Sequence, residues 1–265
     1  MTTSENSTTT PLMKIFQETV QVYFPGTIPM KDYMRKTYRY LSSVHNFEDE
    51  NTMGAIAICR DEMNDPFYEE VVKYWGKTFN CCSLAGFLTM GKTGLAAAMD
   101  HTPIEDGLRR FTFYAMPHIA LSRKGEIGKV YREGIEKASH ACGALEKIVK
   151  ELESGHLNLE TDMQDIEQTI IRQKILSNIN YGDKPDLVKI TKLANRIISE
   201  DLEKLLSTLD KSVFKYSVMT GIQIHGPMET NWIYPQNFYV AGPDIASGKE
   251  FIDIFNSSSI HSSAC

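Results

Sequence analysis

Apolar residues recur along the chain with two different periods, and the switches between them mark out its elements. Leu12, Ile15, Phe16, Thr19, Val20 and Tyr23 form a stripe at helical spacing, which predicts an amphipathic helix over Pro11–Tyr23, stopped by Phe24-Pro25-Gly26. A second helix is expected over residues 31–41, with Met34, Tyr38 and Leu41 on one side, before a polar loop over 45–52. Gly54-Ala-Ile-Ala-Ile-Cys59 is then an uninterrupted apolar run, the text of a strand buried on both faces. It ends abruptly in Cys59-Arg60-Asp61-Glu62. Asp65-Pro66 predicts a helix start with a carboxylate at the N-cap, and Phe67, Val71, Val72 and Trp75 give that helix a buried face that Gly76 closes.

Residues 79–94 are small and apolar and read as a short strand or loop leading into another helix. Phe111-Thr-Phe-Tyr-Ala115 is the next strand, ending at Met116-Pro117-His118, where the proline kinks the chain before Ile119 to Leu121. Ala141, Leu145, Ile148, Val149 and Leu152 return to helical spacing, with Gly155 beyond the end, which puts Cys142 in a first helical turn. Helices are expected over 162–178 and 185–209, then β-rich text over 213–224 and 238–240, with Gly226-Pro227 and Gly242-Pro243 as turns. Strands alternating with helices predict an α/β fold with a mostly parallel central sheet flanked by helices, the late β-rich runs adding strands to it. No repeat or linker divides the chain, so a single domain is expected over 11–265 behind a polar, disordered tail over 1–10.

Composition narrows the partners. Of the 265 residues 42% are hydrophobic and 23% charged, which is ordinary for a globular protein with a real core. A net charge of −6 argues against nucleic acid or an anionic membrane surface as partner. No apolar run approaches the roughly 20 residues a bilayer span requires. The first ten residues lack an apolar signal core and any arginine, so a cytoplasmic protein is expected, or an organellar one if the N-terminus was trimmed. Cys59, Cys81, Cys82, Cys142 and Cys265 form no spaced framework and read as buried, catalytic or metal-bound thiols rather than disulfides.

Two constellations could carry chemistry. Gly86-Phe-Leu-Thr-Met-Gly91-Lys92-Thr93 matches the phosphate-loop pattern letter for letter, but Phe87, Leu88 and Met90 suit a packed helix end, with Gly91 as a helix stop and Gly94 as a turn. Cys59, His118 and Cys142 are the second set. Two of them end predicted strands and the third begins a helix, which would line them along one rim of the sheet, where open α/β sheets hold their ligands. Two thiolates and an imidazole can hold zinc with a fourth position open. The residues alone leave other readings standing, namely packed core thiols with a satisfied histidine, or Cys59 as a nucleophile with His118 as its base. A helix N-terminus would also lower the Cys142 pKa.

Five ordered blocks change the picture: Cys59-Arg60-Asp61-Glu62, Gly91-Lys92-Thr93-Gly94, Pro117-His118-Ile119-Ala120, Ala141-Cys142-Gly143-Ala144-Leu145 and Gly221-Ile-Gln-Ile-His225-Gly226. Together, over about residues 24–240, they resemble the limiting-CO2-inducible B/C family, which is related in fold to the β-carbonic anhydrases. The resemblance implies a homodimeric zinc enzyme with Cys59, His118 and Cys142 as metal ligands, hydrating CO2 reversibly to bicarbonate by a zinc-bound hydroxide. It also implies that Asp61, two residues after the first cysteine, orients that hydroxide as part of a dyad with an arginine. In the β-carbonic anhydrases that arginine follows the aspartate by two positions, where this chain has Met63, and Arg60 is the substitute at hand. Adjacent residues of an extended segment point to opposite faces, which sets Arg60 against the dyad. The alternative is a catalytically inactive zinc-binding homologue that binds inorganic carbon or serves as a scaffold. His140 is out of step with the ligand pattern, His225 reads as a core histidine or proton relay, and His101 as a rim residue at most.

Overall fold

In the computed structural model, residues 11–132 and 134–255 are described, so the expected tail over 1–10 and Cys265 lie outside them. Helix α1 (Pro11–Tyr23), strand β1 (Ile28–Pro29) and α2 (Met30–His45) lead into β2 (Thr52–Ile58). Helix α3 (Asp65–Trp75) returns the chain to β3 (Thr78–Asn80), and α4 (Gly91–Asp100) with β4 (Ile104–Glu105) precedes β5 (Leu108–Met116). Pro117 separates β5 from β6 (His118–Ala120), and β7 (Lys129–Val130) and β8 (Ser139–His140) pair with each other before α5 (Gly143–Ser154). Helices α6 (Ile166–Leu176) and α7 (Leu187–Leu206) then deliver the chain to β9 (Phe214–His225), β10 (Asn231–Ala241) and β11 (Glu250–Phe251).

The main sheet runs β1-β10-β9-β5-β2-β3, with β6 continuing alongside β9 beyond the end of β5. Strands β3, β2, β5 and β9 are mutually parallel, and β10 is antiparallel to β9. The sheet is therefore mostly parallel at its centre and flanked by helices, as the alternation of elements implies. The late β-rich text does more than extend an edge, because β9 sits between β5 and β10.

Strand alternation sorts the core into layers. Met53, Ala55, Ala57 and Cys59 of the β2 line join Phe111, Phe113 and Ala115 of β5 in one cluster with the apolar stripes of α5, α6 and α7. Ile56, Ile58, Tyr114 and Met116 face the opposite layer, against α2 and α3. A third cluster packs Phe16, Val20 and Phe24 on Ile119, Leu121, Ile222 and Ile224, closing the end of the sheet where β6 lies. The odd-numbered side of β2 thus leads straight to Cys59, on the layer that also holds α5.

Some local expectations are corrected. The second helix is longer than residues 31–41 and ends at Asn46 in the left-handed conformation. Asn64, not Asp65, occupies the N-cap of α3, and Val72 lies on the exposed side of that helix. Gly91 opens α4 instead of stopping a helix, and Gly94 lies inside it. The alanine-rich residues after it carry the helix, and Gly91, at φ +60°, turns the chain into it. The phosphate-loop match still makes no cradle. Gly86 N–H donates to Ser83, Phe87 to Leu84, Thr89 to Phe87 and Gly94 to Met90, so those amides are already bonded within the chain. Gly86 itself, at φ +77°, runs so close to β5 that a Cβ would meet the Met116 carbonyl oxygen at 2.7 Å. Among the described residues no helix is long and apolar enough to cross a membrane.

Candidate metal centre

Three elements deliver the site. The parallel register aligns Ile58 of β2 with Met116 of β5, so Cys59 and His118 emerge at the same end of neighbouring strands. Strand β6 pairs with β9 through His118 opposite Gln223. Cys142 occupies the N-cap of α5, one residue before the first turn. The ligand atoms of Cys59, His118 and Cys142 all lie within 4.8 Å of one another. All three residues are buried, at 4%, 0% and 1% exposure, so the cluster lies inside the protein and not on a surface where acidic groups gather by chance.

The donors are chemically matched to a cation. Cys59 Sγ accepts from the Ala85 amide at 3.2 Å. The Cys142 thiol hydrogen-bonds to Cys59 and, with the neighbouring His118 imidazole, holds the Cys59 pKa well below that of an ordinary thiol, against the opposing effect of burial. The same hydrogen bond, added to burial, pushes Cys142 up, although the amides of Ala144 and Leu145 at the helix start pull the other way. The expectation that the helix N-terminus would make Cys142 the low-pKa thiol is thus reversed. The pair shares one thiolate, and the hydrogen bond from the Cys142 thiol together with the Ala85 amide favours it on Cys59. His118 Nε2 is buried without a hydrogen-bond partner, while Nδ1 is 3.0 Å from His225 Nε2. An orphaned ring nitrogen beside two thiols fits a divalent cation of the zinc type, whose ligands are deprotonated sulfur and neutral imidazole.

Asp61 stands beside the cluster without belonging to it. Its carboxylate Oδ1 accepts from Met63 N–H at 3.1 Å, capping a short 3-10 turn. Burial pushes its pKa up, the negative charges of Glu62 and Cys59 add to this, and the neighbouring His118 ring and the Met63 amide oppose it. Arg60 turns elsewhere: Nη2 reaches Glu167 of α6 at 2.5 Å, and Nε donates to the Cys82 carbonyl at 3.2 Å. The structure therefore brings together Cys59, His118, Cys142 and Asp61, and ties Arg60 to a different helix. His140 is exposed and pairs with Glu146 at 2.7 Å. Cys81 and Cys82 are thiols whose pKa burial pushes up, Cys81 to about 12.

The chain matches the limiting CO2-inducible proteins B/C beta carbonic anhydrases over residues 27–242. It belongs to this family. Among solved structures it resembles limiting CO2-inducible protein LCIB, with a TM-score of 0.70 and 29% identity over 88% of this chain and 96% of that one. PtLCIB4, a homolog of LCIB, gives a TM-score of 0.73 at 23% identity, covering 89% of this chain and 98% of the other. A histidine-to-alanine mutant of PtLCIB4 superposes with a TM-score of 0.74 at 22% identity, covering 90% of this chain and 98% of that one. At such identities the PtLCIB4 likenesses speak for the fold alone. No curated protein matches the sequence.

Several residues around the site carry no signal in the sequence. Asn64 Nδ2 donates to the carbonyls of Cys59 and Asp61, at 3.2 and 3.1 Å, and so clasps the loop between them. Arg132, from the segment after β7, pairs with Glu62. Glu167 not only holds Arg60 but accepts from Leu84 N–H at 3.1 Å. Only Asn64, three positions beyond Asp61 and next to a helix start, could have been suspected from local spacing. The other contacts are made by residues distant in sequence.

Proposed function

We propose that the chain is a zinc-dependent carbonic anhydrase, catalysing reversible hydration of CO2 to bicarbonate at Cys59, His118 and Cys142. The observation that carries this reading is the convergence of two buried thiols and an orphaned imidazole nitrogen within 4.8 Å, in a chain of this family. These three side chains would hold the ion, leaving a fourth position for water or substrate. When bound, zinc supplies Lewis acidity that brings the pKa of a water at that position from 15.7 to about 7.

The rest of the work falls to the chain. Asp61, pinned by Met63 N–H, is the acceptor that orients the attacking water by its proton. Ala57, Ala85, Phe87 and Leu145 share the apolar cluster of the two cysteines, which suits a non-polar substrate and strengthens the electrostatics at the site. His225, held neutral by a pKa pushed down to about 3 through burial, with the neighbouring His118 ring and Arg132 adding to it, backs His118 and does not take protons from solvent. Arg60 is assigned no catalytic role while Glu167 holds it. From the family resemblance we carry over a homodimer.

The second reading is an inactive zinc-binding homologue that serves as an inorganic-carbon binding or scaffold protein. The engagement of Arg60 by Glu167, away from Asp61, is what favours it. Stopped-flow CO2 hydration with parallel metal analysis separates the two. The enzyme reading expects one zinc per chain and hydration above background, both lost in Cys142→Ser, with Asp61→Asn keeping the metal and losing most of the activity. Zinc bound without hydration would select the scaffold, and freshly purified protein that holds no zinc and cannot be loaded with it would end both readings.

A further inference from the structure

Behind His118 stands a chain of polar side chains set into an otherwise apolar wall. His118 Nδ1 is 3.0 Å from His225 Nε2, and His225 Nδ1 is 2.7 Å from Asn231 Oδ1. The sheet builds this line. Strand β6 runs parallel to β9, with His118 opposite Gln223, and the antiparallel β9–β10 register sets Asn231 directly opposite His225. Between them the chain turns through Gly226-Pro227-Met228-Glu229-Thr230, closed by Gly226 N–H on the Thr230 carbonyl at 2.7 Å. Gly226 is needed there, because a Cβ would meet Thr230 Oγ1 at 2.5 Å and the Phe16 ring at 2.7 Å.

The far end of the chain fixes the protons at the near end. Asn231 Nδ2 donates to the Glu229 carbonyl at 3.1 Å. Turning the amide over would set its oxygen against that carbonyl, acceptor to acceptor, so the network assigns Oδ1 to His225. An amide oxygen only accepts, and His225 must therefore carry its proton on Nδ1. A neutral ring protonated there has a bare Nε2, which can only accept. His118 must then donate from Nδ1, and in the neutral ring its one proton is spent on that bond. What remains on His118 is a bare Nε2, the buried atom without a partner that faces the thiols.

We propose that Asn231 is a positioning residue: through His225 it sets the tautomer of His118 that presents an unprotonated Nε2 to a thiophilic divalent cation between Cys59 and Cys142. The inference rests on the metal reading of the site, yet part of it is visible without metal. Metal-bound histidines usually donate their second N–H to a carboxylate, a carbonyl or water. Here the acceptor is a second neutral imidazole, and the tautomer is dictated by one amide on the neighbouring strand.

The test combines ring-nitrogen NMR with zinc competition on the full chain. In metal-free wild type above the histidine titration range, the 15N shifts should report His118 and His225 both as Nδ1–H tautomers. Competition against a chromophoric chelator should show Asn231→Leu weakening zinc by roughly 10–100-fold, with a changed tautomer balance at both rings. Asn231→Asp, which keeps an acceptor at that point, should restore wild-type affinity and the Nδ1–H signals. His118 found as the Nε2–H tautomer in wild type would overturn the proposal, whether or not the variants fold. So would an Asn231→Leu chain with an unchanged backbone amide spectrum and undiminished zinc affinity. A wild type that binds no zinc would instead end the metal reading, while the metal-free shifts would still decide the tautomers.

Discussion

Cys59 and Cys142 face each other as an unequal pair. Cys59 accepts hydrogen bonds from the Ala85 amide and from the Cys142 thiol, and its pKa falls; Cys142 is the donor and its pKa rises. The two titrate as a unit, so the sign can be worked out for the pair. The first proton is gone well below neutral pH, because one thiolate is stabilised by its partner's S–H. The second stays on above neutrality, because a second thiolate would repel the first in a buried site. Zinc requires both sulfurs deprotonated and His118 neutral. Zinc binding near neutral pH should therefore release about one proton per ion from the thiol pair, beside any lost from a bound water whose pKa zinc brings to about 7, and zinc affinity should fall as pH is lowered. Calorimetric titrations in buffers of different ionisation enthalpy measure this directly. Release of none would mean that the thiols do not ligate.

At the scale of the element, the loop after β2 is what converts a buried strand into a site. Asn64 is 2% exposed and donates to the carbonyls of Cys59 and Asp61, while its own N–H returns to the Asp61 carbonyl at 2.9 Å. Asn64→Leu removes both donors from buried carbonyls and should cost about 1–3 kcal/mol, read from urea unfolding, with zinc affinity reduced alongside. Unchanged stability and zinc affinity would show that the loop holds its shape by other means. The strand itself was legible, because Gly54 to Ile58 reads as a strand buried on both faces, and a strand of an α/β sheet has its ligands beyond its carboxyl end. Cys59, His118 and Cys142 were readable as a set for the same reason. The loop clasp was not, since the sequence points to Asp65 as the helix cap, and the two acceptors of Asn64 are main-chain atoms. Gly91 misled because glycine both ends and begins helices, and only the alanines after it decide which.

For the whole molecule, three sequence-distant side chains meet because the sheet sorts them to one end and one layer. Strands β2 and β5 run parallel in matched register, β9 inserts beside β5 and carries β6 with it, and α5 packs on the side to which Cys59 points. The alternation of elements was enough to foresee the parallel sheet and its flanking helices. It was not enough to place β9 inside the sheet, because strand order is settled by long-range pairing that leaves no local trace. The partner of Arg60 was hidden in the same way, on a helix 107 residues further along. What matters most is whether this assembled centre holds its metal through sulfur, nitrogen and one open position. Zinc-edge X-ray absorption on the zinc-loaded chain should show two sulfur donors at about 2.3 Å, one imidazole nitrogen at about 2.0 Å and one further light atom. A first shell of oxygen and nitrogen alone, or one closed by a third sulfur, would contradict it.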